Sequence, residues 1–108
     1  MKNYVVVKEV DKEPAILQVE SCLTLETMQK IVGGYVEVLQ LEKDYLICFD
    51  EEGRLKDKPL NVQLENVFTH NTVEILGTLF ICKGEGEEMV AMPYKEAQEL
   101  MKMFIHER

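Results

Sequence analysis

The sequence predicts an α+β domain: a mainly antiparallel sheet of about six strands with two helices, in the order ββα-ββ-loop-ββα. Three observations lead there. Short apolar runs recur in neighbouring pairs, each pair joined by a short polar turn, which is the pattern of sequence-adjacent hairpins. Two other stretches change period and carry apolar residues at helical spacing, Leu25-Met28-Ile31-Val32 and Tyr94-Ala97-Leu100-Met101-Phe104-Ile105. The 108 residues show no repeat, low-complexity tract or linker, so residues 1–108 read as one domain large enough to bury a core without metal or disulfide staples.

Residues 4–10 are valine-rich, and after Asp11-Lys12-Glu13 the segment Ala15–Glu20 is again apolar with polar interruptions, predicting an opening hairpin. Thr24 suits the N-cap of the first helix, and Gly33-Gly34 ends it, glycine being the usual residue of the left-handed C-terminal turn. Tyr35–Leu41 and Tyr45–Phe49 flank Glu42-Lys43-Asp44 as a second hairpin, closed by Asp50-Glu51-Glu52-Gly53 with Gly53 expected at positive φ. Residues 54–72 are punctuated by Pro59, Asn61 and His70-Asn71 and read as a structured loop holding at most a short strand or helical turn. Val73–Cys82 reads as one strand broken near Gly77, pairing with Met89–Met92 across Lys83-Gly84-Glu85-Gly86-Glu87. Pro93 opens the last helix, a common first-turn residue.

Charge and cysteine content limit the function classes. Twelve Lys and Arg against twenty Asp and Glu give a net charge of −8, which opposes broad adhesion to nucleic acid or anionic lipid. No run approaches the ~18 apolar residues of a membrane span, and the apolar run after Met1-Lys2-Asn3 is too short for a signal peptide. Cys22, Cys48 and Cys82 form no C-x-x-C pair and stand beside apolar residues, so they are expected to be reduced, buried hydrophobes of a cytoplasmic protein.

The residues Met28-Gln29-Lys30-Ile31-Val32-Gly33-Gly34-Tyr35-Val36-Glu37 resemble the most recognisable stretch of a family known as domain of unknown function 3846. The resemblance extends to Asp50-Glu51-Glu52-Gly53, Pro59-Leu60-Asn61 and Gly77-Thr78-Leu79-Phe80-Ile81, and so spans most of the chain. It brings no established reaction. It implies a small protein of phages, plasmids and other mobile elements, working in the cytoplasm of a bacterial host cell, where short accessory proteins often act by binding.

Constellations for catalysis are few. His106 near a helix C-terminus reads as a capping or solvated residue, and His70 beside an asparagine reads as a turn residue, although it could pair with a cysteine or carboxylate. No metal or cofactor is expected: Asp50-Glu51-Glu52 is consecutive, unlike the spaced oxygen ligands of a calcium loop, and reads as a solvated turn, as does Glu85-x-Glu87-Glu88. Gly33-Gly34 follows a helix C-terminus, the wrong dipole end for phosphate.

The candidate ligand-binding set is Tyr35, Glu37, Arg54 and Asn61. Tyr35 either stacks on a base or packs over the double-glycine turn, and Glu37 can accept from a base's amino groups. Arg54 with Lys56 and Lys58 forms the local basic cluster, which either clamps an anion or balances Asp50–Glu52. Asn61 either fixes its loop or contacts a ligand through the same amide. The expectation is a non-enzymatic, counter-defence binding protein that sequesters a nucleotide-like host signalling molecule, as a homo-oligomer. The alternative is an acidic antagonist or adaptor docking on a basic host protein such as a defence protein.

Overall fold

Continuous apolar runs such as Leu79-Phe80-Ile81-Cys82 are stable as strands only when both faces of the sheet are covered. A computed structural model, describing residues 3–41, 44–65 and 69–105, shows that arrangement. Its elements are β1 (Asn3–Lys8), β2 (Ala15–Val19), α1 (Leu25–Val32), β3 (Val36–Gln40), β4 (Tyr45–Asp50), β5 (Leu60–Glu65), β6 (Thr72–Leu76), β7 (Leu79–Glu85), β8 (Glu88–Val90) and α2 (Tyr94–Ile105). Six strands form an antiparallel sheet in the order β2-β1-β7-β4-β3, with β8 continuing on β7. β5 and β6 form a separate antiparallel hairpin. The chain is therefore α+β with mostly sheet, as the pattern of hairpins predicted.

Strand alternation divides the core in two. Val6 of β1, Ile47 and Phe49 of β4 and Leu79 and Ile81 of β7 meet Ala97 and Phe104 of α2 and Ile75 of β6 on one face. Val5, Cys48, Phe80 and Cys82 meet Leu23, Met28 and Val32 around α1 on the other. Phe80, Ile81 and Ile47 have no exposed surface, and each such side chain contributes about 1.5–3 kcal/mol by leaving water. α2 is further tied to the sheet by polar contacts: the Tyr45 hydroxyl donates to Glu96 Oε1 at 3.0 Å, and Lys83 Nζ lies 3.2 Å from the same carboxylate. Burial and the Glu96 carboxylate push the Tyr45 phenol above its usual pKa.

Local chemistry sets the ends of α1. Thr24 caps it by accepting from the Thr27 N–H at 3.1 Å, and Gly33 closes it in the left-handed conformation, φ 82°.

Several sequence expectations change. The short strand expected somewhere within 54–72 is β5 at Leu60–Glu65, with Val62 and Leu64 packed against the α2-side core. The segment 73–82 is two strands, because the chain turns at Gly77 (φ 81°) from the hairpin into the main sheet. The left-handed residue of the turn after β4 is Asp57 (φ 55°), not Gly53, which is buried against Leu76. Cys22 is exposed, lying where residues 21–23 run along β8, while Cys48 and Cys82 are buried. Tyr94 is half exposed, its ring edge-on to Tyr4 at 5.1 Å, so it lies at the margin of the α2 apolar face. The readings of the Glu42-Lys43 turn residues, of the Ile105 side chain and of His106 fall outside the described residues.

Candidate functional site

Asp50 ends β4 on the same face as Cys48, and that face is covered by α1, so its carboxylate is carried inward and not onto a solvated turn. This corrects the reading of Asp50-Glu51-Glu52 as a wholly solvated string. The buried carboxylate is matched by Lys56 Nζ at 2.8 Å, Lys58 Nζ at 2.7 Å and the Glu52 N–H at 2.9 Å. Burial alone would push the Asp50 carboxyl up, but the two ammonium groups and the N–H override it and hold the pKa at about 2. The same lysines reach the end of α1: Lys58 donates to the Val32 carbonyl at 3.0 Å and Lys56 to the Gly33 carbonyl at 3.2 Å, where cations complement the helix dipole. Gly34 lies directly over this cluster, and a Cβ there would stand 2.7 Å from both Asp50 oxygens and 2.6 Å from Lys56 Nζ.

The stem of Lys58 continues the joint. A Cβ on Gly77 would stand 2.7 Å from Lys58 Cδ, the Gly77 N–H donates to the Pro59 carbonyl at 2.8 Å, and Asn61 Nδ2 donates to the Gly77 carbonyl at 2.8 Å. The lysines of the basic cluster thus balance an internal anion and fasten α1, β4 and the β5–β6 hairpin together.

The four candidate ligand residues do not converge. Glu37 and Arg54 line one groove of about 350 Å³ beside β6, where Arg54 pairs with Glu74 at 3.0 Å. That pairing holds the Glu74 carboxyl below its usual range. Tyr35 is 62 % exposed just before β3 and is not among the residues lining that groove. Asn61 faces a different cleft, and its amide also donates to the Lys8 carbonyl at 2.8 Å. His70 sits in the β5–β6 turn at φ 63°, exposed, with Nδ1 3.1 Å from Glu65 Oε2.

The cleft beside Asn61 is the larger, about 630 Å³, and lies between the β1–β2 turn, β5 and the end of α2. Lys8, Lys12, Asp11, Glu13, Gln63 and Phe104 line it. Its volume falls in the ordinary range of small-molecule sites. Lys8 is the residue that sequence reasoning missed. The residue is half-buried and its ammonium is held by two neutral oxygens, the Glu9 carbonyl at 2.8 Å and Asn61 Oδ1 at 3.2 Å. Unlike Lys12, Arg54, Lys56 and Lys58, it has no carboxylate partner among the described residues. The signal available in the sequence was its position at the inner end of a valine strand, where a lysine cannot be wholly solvated. Asp11 and Glu13 line the same cleft, and neither carboxylate has a partner among the described residues.

No curated protein and no solved structure shows detectable similarity to this chain. One family model does match, described as Domain of unknown function (DUF3846), and it covers residues 1–105. It takes in both helices, all eight strands and the Asp50 joint, so the chain belongs to the DUF3846 family.

Proposed function

We propose that this protein is a non-enzymatic accessory binding protein of phage or mobile-element type, acting in the bacterial cytoplasm, that sequesters a small anionic host signalling molecule of nucleotide type in the cleft beside β5. The observation that carries the reading is Lys8, a half-buried residue on the cleft of about 630 Å³ whose ammonium has only neutral partners among the described residues. Such a group favours an incoming anion, because the ligand would supply the charge that the protein has not. The other side chains suit the rest of a nucleotide. The Asp11 and Glu13 carboxylates, without a partner among the described residues, can accept from exocyclic amino groups, and the Phe104 ring offers an apolar surface at the cleft wall. This moves the expected site away from Glu37 and Arg54, whose groove is acidic and would repel phosphate, and from Tyr35, which lines neither cleft.

The test has two arms. Protein purified from defence-active cells is denatured and the released small molecules are identified by mass spectrometry. Calorimetry with a panel of mono-, di- and cyclic nucleotides is then run on the wild type and on Lys8→Ala. Binding weakened at least about tenfold by Lys8→Ala is expected, corresponding to loss of one charge-assisted contact. If no nucleotide gives heat and nothing is released, or if Lys8→Ala binds as the wild type does, the reading falls.

A further inference from the structure

β3 is the last strand of the main sheet, and its backbone register shows which groups it leaves open. The Glu51 N–H donates to the Tyr35 carbonyl and the Leu41 N–H to the Tyr45 carbonyl, both at 2.9 Å. Residues 35 and 41 therefore turn their backbone groups toward β4, and in an antiparallel ladder the residues between them alternate. The N–H and C=O of Val36 and Val38 consequently point away from β4, at the sheet edge. Such edges are usually blunted by lysine, proline or a bulge. β3 reads Val-Glu-Val-Leu-Gln and pairs with β4 in unbroken register, so it carries none of these.

Charge decides what can pair there. Glu37 shares its face with Phe49 and opens on the groove that Glu51, Arg54, Leu55 and Glu74 also line. Arg54 is answered by Glu74, while the Glu37 and Glu51 carboxylates have no partner among the described residues. Leu55 is 84 % exposed beside them, and Val38 on the other face of β3 is 41 % exposed. A site with open strand polar groups, two uncompensated carboxylates and an exposed leucine suits a strand whose basic side chains have long apolar stems. A second copy of this chain, at net charge −8, would bring further negative charge to an acidic groove.

We propose that the open edge of β3 and the acidic groove beside it are a docking surface for an extended basic segment of a partner protein, added as a further strand with lysine or arginine side chains over Glu37 and Glu51. The surface shares no residue with the cleft assigned to the small molecule, and the proposal stands independently of that reading.

The test is fluorescence anisotropy with a labelled heptapeptide alternating valine and lysine, compared with its valine–glutamate counterpart. Saturable binding of the lysine peptide alone is expected, weakened at least about tenfold by Glu37→Lys. Val38→Pro should abolish binding while leaving the far-ultraviolet spectrum unchanged, because the Val38 N–H takes no part in the β4 ladder. A lysine peptide N-methylated on the positions that would face β3 makes the same test on the wild-type protein, should the proline variant not fold. Absence of binding, equal binding of the glutamate peptide, or undiminished binding of the N-methylated peptide would overturn the proposal. So would a dimer in sedimentation that Val38→Pro dissociates, since the edge would then belong to a second copy.

Discussion

Replacing Asp50 with asparagine keeps the shape of the side chain and an acceptor for the Glu52 N–H, but removes the charge that faces Lys56 and Lys58. The Asp50 pKa of about 2, against an ordinary 3.8, gives the size of the effect, since every tenfold change in proton affinity is worth ~1.4 kcal/mol. The carboxylate thus contributes about 2 kcal/mol to stability at neutral pH. Losing it also strands two ammonium groups, but their side chains are 38 % and 24 % exposed and can turn toward water, so the total cost is expected at about 2–3 kcal/mol. The pH dependence has a fixed sign. A depressed carboxyl pKa means that the unfolded chain takes up the proton first, so the contribution is complete above about pH 5 and drains away as pH falls toward 2. By pH 3 roughly half of it is gone. Urea unfolding at pH 7 and pH 3 on both proteins measures this. The gap between wild type and Asp50→Asn should shrink by about 1 kcal/mol on acidification. A variant within about 0.5 kcal/mol of wild type at pH 7, or a gap that does not narrow at pH 3, would refute the account of the joint.

Gly34→Ala tests the same joint from above: its Cβ would press on both Asp50 oxygens, and although Lys56 can swing aside the carboxylate cannot. A loss of about 2 kcal/mol, or roughly 10 °C in thermal midpoint, is expected, and combined with Asp50→Asn the two costs should not add, whereas simple additivity would place the strain elsewhere. Among the three cysteines, Ellman's reagent should label Cys22 alone in the folded protein, since Cys48 and Cys82 have no exposed surface. Desolvation and the nearby Glu88 hold the Cys22 thiol above its usual pKa, so labelling should be slower than for a free thiol near neutral pH and recover as pH rises; native-state labelling that survives Cys22→Ser would contradict the buried pair.

What the sequence disclosed follows from the range of each interaction. α1 was legible because its signals are local: Thr24, the helical spacing of Leu25, Met28, Ile31 and Val32, and Gly33 all act within a few residues. The hairpins were legible for the same reason. β5 was legible only as a short strand of unknown place, although Leu60, Val62 and Leu64 alternate correctly, because Pro59 and Asn61 are turn residues by habit. Asp50 was the larger miss. Its string of acids looks like a solvated turn unless one counts that the strand alternation Leu46, Cys48, Asp50 carries the first acid inward; the neighbouring lysines were legible as balancing charge, but not that they do so around a buried carboxylate. Tyr35, Glu37, Arg54 and Asn61 share a side-chain chemistry suited to a ligand, but chemistry does not record distance, and the fold distributes them over separate surfaces.

The segments that carry the family resemblance meet in three dimensions. Gly34 covers Asp50, Lys58 joins Asp50 to α1 and runs beneath Gly77, Gly77 accepts from Asn61 and donates to Pro59, and Gly53 packs on Leu76 beside them. They therefore describe a joint that orients the β5–β6 hairpin against the main sheet. β5 is one wall of the cleft that Lys8 faces, and β6 borders the acidic groove that Glu37 faces, so the joint sets the dimensions of both surfaces. Apart from Asn61, the groups that would select a small molecule, Lys8, Asp11, Glu13 and Phe104, lie outside those segments. A scaffold of this kind fixes where a ligand can bind while leaving its identity to rim residues that the joint does not constrain. The family-like motif accordingly reports the fold, and on the binding reading proposed above specificity is to be sought at the β1–β2 turn.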